Sequence, residues 1–155
     1  MVLILTAAII ALDQFTKYLV RSNFSVGETL PVVQNVFHLT YVQNRGAAFS
    51  IFQDNRIMTV LFPLVAMAVC AVLLVWLMKK KEKLLSVAVA LVIAGGVGNL
   101  IDRLVRGYVT DFLDFRVFPV FNVADIAVTC GCALAIICVV FLDDGGKKNG
   151  GGDID

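Results

Sequence analysis

Charge is scarce in this chain. Only 16% of its 155 residues are charged, against 59% that are hydrophobic, and mean hydropathy is +0.89. A soluble domain runs nearer 25% charged. The scarcity excludes a disordered protein and argues against an ordinary water-soluble globule. It points to a polytopic membrane protein with lipid against much of its surface. Net charge is +1, so no overall field draws nucleic acid. Histidine is confined to His38, which argues against a histidine-based metal centre, and no cofactor is expected. Cysteine occurs four times, but Cys70, Cys130, Cys132 and Cys138 all fall in apolar segments, where thiols pack as small apolar groups. The first segment lacks a basic leader and an A-x-A-like cleavage site, so it reads as a retained helix rather than a cleaved signal peptide.

What is present is four apolar stretches, each long enough for a bilayer that needs roughly 20 residues of helix. They are placed at about 2–20, 57–78, 84–104 and 122–142. The predicted fold class is therefore an all-α membrane protein of four transmembrane helices. A small extracytoplasmic β-rich segment lies between helices 1 and 2, where 38–41 alternates loosely among aromatic and β-branched residues. Residues 1–142 read as one membrane domain. The tail 143–155, rich in Gly, Asp and Lys, cannot bury a core and is expected to be disordered. Orientation follows from Lys79-Lys80-Lys81-Glu82-Lys83, whose four lysines mark a cytoplasmic loop. Both termini are then cytoplasmic, and segments 21–56 and 105–121 face outward. Arg45, Arg56, Arg106 and Arg116 disobey that bias and call for a structural or ligand-binding reason.

Charges inside the spans are the sharper signal, because each costs about 2.5–3.5 kcal/mol at the bilayer centre on insertion scales. Asp125 stands about one turn inside the fourth span, and Asn122 and Thr129 share its helical face. Gly95, Asn99, Asp102 and Arg106 form a matching stripe on the third span, with Arg103 on its flank. Asp111, with Val109 and Phe112 on either side, reads as part of a partly buried strand or turn in a loop short enough to fold back toward Asp125. Two carboxylates in a water-poor site share a proton, and that state suits peptide hydrolysis. The ionised member activates water and the protonated member serves the carbonyl oxygen and leaving amine. Simpler readings stand beside these. Asp102 with Arg103 reads as an ion pair at a helix end, Asp13 with Lys17 as a structural i,i+4 pair, Asp114 and Arg116 as a solvated loop, and 21–56 as a plain hairpin. From spacing alone, Asp111 and Asp125 fit equally a small four-helix proton-coupled transporter.

Five motifs then narrow the choice. Asp13-Gln14-Phe15-Thr16-Lys17, Asn44-Arg45-Gly46-Ala47-Ala48-Phe49, Gly95-Gly96-Val97-Gly98-Asn99-Leu100-Ile101-Asp102-Arg103, Val109-Thr110-Asp111-Phe112 and Phe121-Asn122-Val123-Ala124-Asp125 occur in that order. Together they resemble the motifs of bacterial lipoprotein signal peptidase, or signal peptidase II. Thr110 departs from the family's more usual valine. The resemblance implies an aspartyl endopeptidase of the bacterial inner membrane. It would cut diacylglyceryl-modified prolipoproteins before the lipidated cysteine, near the outer face, without a metal. By the same resemblance Asp111 and Asp125 are the catalytic pair. Asn44, Gly46, Asn99, Arg103 and Asn122 line the substrate site, and Asp13, Lys17 and Asp102 support it. The resemblance also implies membrane lipid and the prolipoprotein as partners, with a globomycin-like peptide as inhibitor. A monomer suffices, since one chain carries every motif.

Overall fold

The computed structural model describes residues 1–46 and 56–142. Its elements run α1 (Val2–Asn23), β1 (Thr29–Val33), β2 (Phe37–Asn44), α2 (Arg56–Lys80), α3 (Lys83–Arg106), β3 (Val109–Asp114) and α4 (Val123–Ile137), the last continuing as a π-helical turn over Cys138–Leu142. Four of the helices are long and apolar enough to cross a membrane, as predicted. Helix α1 outruns its predicted end by one turn, where Asn23 Nδ2 donates to the Leu19 carbonyl at 2.8 Å and satisfies a terminal acceptor. Helix α3 stops at Gly107, whose φ of +78° is a left-handed cap; its N–H bonds the Arg103 carbonyl at 3.0 Å. Helix α4 starts one residue later than predicted, because Asn122 is extended and caps the helix from outside.

Helix α3 is the centre of the bundle. Half of its most apolar window is buried, against 11% for α1 and α2, and it packs on all three other helices. The sequence allows this by removing side chains at the contacts. A Cβ at Gly95 would collide with the Ala124 carbonyl oxygen of α4, and one at Gly98 would lie 2.6 Å from Asp13 Oδ2 of α1. Small residues let helix backbones approach in lipid, where apolar side chains alone give little preference for protein over solvent. Large apolar side chains on the outer faces, such as Phe62, Val69, Val72 and Trp76 of α2, are left exposed for lipid.

At one end of the bundle sits a sheet with strand order β1-β2-β3, antiparallel throughout. Its third strand comes from the connection between α3 and α4, so the β region is larger than the expected segment between the first two helices. Strands β2 and β3 pair Val42 with Asp111 and Asn44 with Val109, with a bulge between Leu39 and Val42. Val20, Tyr41 and Phe112 form a buried cluster that ties the end of α1 to β2 and β3. Asp114 corrects the solvated-loop expectation. It ends β3 nearly buried, and accepts from Thr40 Oγ1 at 2.7 Å, the Arg116 N–H at 2.8 Å and Arg116 Nη1 at 3.0 Å. The Thr40 bond, with the two from Arg116, holds its carboxyl below the usual carboxylate range. Ala47, Ala48 and Phe49 of the second motif, and the tail 143–155, lie outside the described residues.

Candidate active site

The sheet and the bundle meet at a polar knot that no single element could build. Asp125 occupies the third position of α4 and forms a reciprocal cap with Asn122. The Asp125 N–H donates to Asn122 Oδ1 at 3.0 Å, and the Asn122 N–H donates to Asp125 Oδ2 at 3.1 Å. A carboxylate there is favoured by the unpaired N–H groups of the first helical turn. The other oxygen, Oδ1, accepts from Asn99 Nδ2 of α3 at 2.8 Å.

Asp111 comes from the middle of β3 and is 2% exposed. Its Oδ1 accepts from Asn122 Nδ2 at 2.7 Å and its Oδ2 from Asn44 Nδ2 of β2 at 3.0 Å. Asn44 is turned that way because its Oδ1 accepts the Gly46 N–H at 2.9 Å. Gly46 takes φ +102°, which favours glycine. Burial pushes the Asp111 carboxyl up to about 6. The charge of Asp125 adds to that push, while the bonds from Asn44 and Asn122 and the charge of Lys17 oppose it. Asn122, itself wholly buried, thus bridges the two acids: its side chain reaches Asp111, its main chain holds Asp125.

A second layer stands behind this pair. Asp13, Lys17 and Asp102 are wholly buried. Lys17 Nζ lies 2.9 Å from Asp13 Oδ2, as the i,i+4 spacing predicts, and 3.5 Å from Asp102 Oδ2. Asp13 Oδ1 accepts the Ala124 N–H at 2.9 Å, next to Asp125. Asp102 Oδ2 accepts the Thr110 N–H at 2.9 Å, next to Asp111. The expected Asp102–Arg103 pair does not form. Asp102 instead faces Arg106 at 3.2 Å and Arg21 at 3.6 Å, since adjacent helical residues point apart while i,i+4 neighbours meet. Arg103 makes no ion pair within 4.0 Å among the described residues, although it stands in the field of Asp125, Asp111 and Asp102.

Sequence reasoning missed three contributors. Gln14 Nε2 bridges Asp13 Oδ2 at 3.1 Å and the Gly98 carbonyl at 3.0 Å. Arg21 donates to Thr110 Oγ1 at 3.1 Å; its place one turn after Lys17 was the available signal. A groove of about 380 Å³ opens beside Asp125, lined by Phe115, Phe118, Phe121, Ile126, Thr129 and Cys130. The Phe115 and Phe121 rings stack at 5.9 Å, and Phe118 meets Phe121 edge-on at 6.1 Å. Among the described residues no three His, Cys, Asp or Glu side chains gather to hold a metal ion.

Fold and site together describe a polytopic membrane protein with two carboxylates set around one asparagine at the end of a four-helix bundle. Residues 5–141 match the family model described as signal peptidase (SPase) II, and the chain belongs to that family. It is 46% identical to the lipoprotein signal peptidase of Halothermothrix orenii, over 88% of this chain and 93% of that one. It is also 46% identical to that of Brevibacillus brevis, over 94% and 97%. A solved bacterial membrane enzyme, determined by the in meso method, is 29% identical and superposes with a TM-score of 0.80 over 99% of this chain and 94% of its own. The chain is accordingly a membrane peptidase, and the transporter reading finds no support.

Proposed function

We propose that this peptidase removes the signal peptide from diacylglyceryl-modified prolipoproteins, cutting before the lipidated cysteine, with Asp111 and Asp125 as its catalytic pair. The observation that carries the reading is the Asn122 bridge, which binds one carboxylate by its side chain and the other by its main chain. Asp111, buried in the sheet and pushed up to about 6, is the acid of the pair in this reading, and Asp125, at the start of a helix, is the base. Asp125 takes a proton from a water molecule as its oxygen attacks the scissile carbonyl carbon. Asp111 gives its proton to the carbonyl oxygen. As the tetrahedral adduct collapses, Asp125 gives the proton it took from water to the cysteine nitrogen, Asp111 takes one back from a hydroxyl of the adduct, and the C–N bond breaks; the amine of the mature lipoprotein leaves and the signal peptide keeps the new carboxyl.

The positions assigned to substrate by resemblance divide in this reading. Asn44, Asn99 and Asn122 hold the carboxylates, Gly46 aims Asn44, and Arg103, which makes no ion pair among the described residues, is the cation beside the dyad that meets substrate carbonyl or ester oxygens. The aromatic groove takes apolar substrate next to Asp125. The lysines of 79–83 lie at the far end of the bundle from the sheet, which supports cytoplasmic termini and a site at the outer face of the bacterial inner membrane. A monomer and inhibition by a globomycin-like peptide complete the proposal. The test offers purified protein the same prolipoprotein with and without its diacylglyceryl group. Cleavage of the modified form alone, before the cysteine, supports the reading; equal cutting of both, or a cut elsewhere, overturns it.

The pH dependence follows from Asp111. The free enzyme loses its shared proton as pH rises through about 6, so kcat/KM declines on the alkaline side around that value. Asn44 donates to the charged form of Asp111, and removing it raises the pKa. Asn44→Ala is therefore expected to move the alkaline limb to higher pH. A limb that stays in place or moves down contradicts the assignment.

A further inference from the structure

Lys17 carries a wholly buried ammonium, and its pairing with Asp13 explains only part of its surroundings. It also donates a 2.8 Å hydrogen bond to Asn99 Oδ1. That bond has a directional consequence. A primary amide has an acceptor end and a donor end of nearly the same shape, and either can face a neutral polar neighbour. An ammonium has three N–H bonds and no acceptor, so only the carbonyl end can face it. Asn122 Nδ2 donates to the same oxygen at 3.1 Å. The NH₂ end of Asn99 is then left to face Asp125 Oδ1, at 2.8 Å. Turning the amide over would set N–H against ammonium and carbonyl oxygen against carboxylate, so both contacts would become repulsive.

We propose that Lys17 is a positioning residue for the catalytic pair: by fixing the direction of the Asn99 amide it supplies the donor that holds Asp125 in line for water. The proposal goes beyond a support role for α1 and rests on reading Asp111 and Asp125 as the dyad. The rest of the helix fits the same purpose. Asp13, one turn before Lys17, accepts the Ala124 N–H at 2.9 Å and so holds the main chain next to Asp125. Helix α1 thereby grips Asp125 from two sides, through the backbone of α4 and through an amide of α3. The positive charge is what gives the second grip its direction. A neutral side chain at position 17 that could both donate and accept would remove one of the contacts that set the direction of Asn99 and loosen its hold on Asp125.

The test measures kcat and KM on a diacylglyceryl-modified prolipoprotein. Lys17→Met alone strands the buried Asp13 carboxylate, so Asp13→Asn/Lys17→Met is made beside it. That double variant removes both charges and leaves Asp102 its two arginines, at 3.6 Å and 3.2 Å. Thermal unfolding in detergent confirms that it is folded. The expected result is a kcat lowered about 10–100-fold with KM changed less than about threefold, as for a lost transition-state alignment. The decisive readout is a cycle with Asn99→Ala. If Lys17 acts through Asn99, Asp13→Asn/Lys17→Met costs no further kcat once Asn99 is alanine. A folded charge-free variant with kcat within about twofold of the parent overturns the proposal, and so does a loss that multiplies in full with that of Asn99→Ala. Failure of the dyad reading looks different, because cleavage would then survive Asp125→Asn itself.

Discussion

Asn122→Ala is expected to lower kcat about 10²–10³-fold, more than the loss of any other uncharged side chain in the site. Three functions end with that one amide. Asp111 loses the 2.7 Å donor on Oδ1, Asn99 loses a 3.1 Å donor on its carbonyl, and α4 loses the acceptor for the Asp125 N–H. The cap alone is worth about 0.5–2 kcal/mol of stability. The larger effect falls on geometry, since a reacting group misplaced by about 1 Å can cost about 10²-fold in rate. Asn122→Asp distinguishes the two contributions. Aspartate keeps the helix cap but puts a third carboxylate against Asp111, so its thermal stability should exceed that of the alanine variant while its activity does not recover. Turnover by Asn122→Ala within about tenfold of the parent would show that the bridge is not needed.

Asp102→Ala is the change expected to damage the fold most. Lys17, Arg21 and Arg106 converge on this buried carboxylate at 3.5, 3.6 and 3.2 Å, and the Thr110 N–H has it as acceptor. Removing one side of a buried charge cluster costs about 3–5 kcal/mol; the lower end applies here, because Lys17 is wholly buried while Arg21 and Arg106 are partly exposed. Lys17 retains Asp13, but Arg21 and Arg106 are left to repel each other next to β3. The stranded Thr110 N–H adjoins Asp111, so activity should fall together with the unfolding temperature in detergent. Asp102→Asn keeps an acceptor for that N–H and should lose less of both. Equal damage from Ala and Asn would assign the whole effect to charge and none to the hold on β3.

The helices were legible because lipid imposes a simple rule on composition, and their polar faces were legible because helical spacing is local. Asn99, Asp102 and Arg106 recur one turn apart, and Asn122 and Asp125 stand at the separation of a reciprocal cap. Sequence neighbours misled where contact depends on direction. Asp102 and Arg103 are adjacent in the chain but diverge around the helix, so Asp102 finds Arg106 and Arg21 instead. The sheet was legible only in part. A hairpin after α1 follows from local alternation, but the addition of β3 brings together residues from either side of α2 and α3, and nothing local sets its register. That register sets Asn44 and Thr40 diagonally across from Asp111 and Asp114, within hydrogen-bond reach, and without it Asp114 read as loop. The groove of Phe115, Phe118 and Phe121 was invisible for the same reason, since three scattered aromatics acquire a common wall only when the chain folds back along β3.

The most direct measurement of the central claim uses mass spectrometry on a diacylglyceryl-modified prolipoprotein incubated with the purified protein, with Asp111→Asn and Asp125→Asn alongside. Asparagine keeps the shape of each carboxyl and removes its ability to take up a proton from water. The expected products are a signal peptide and a mature chain starting at the lipidated cysteine from the parent protein, and intact substrate from both folded variants. A parent that leaves the lipidated substrate whole, or a folded variant that still cuts at the same bond, would contradict that claim.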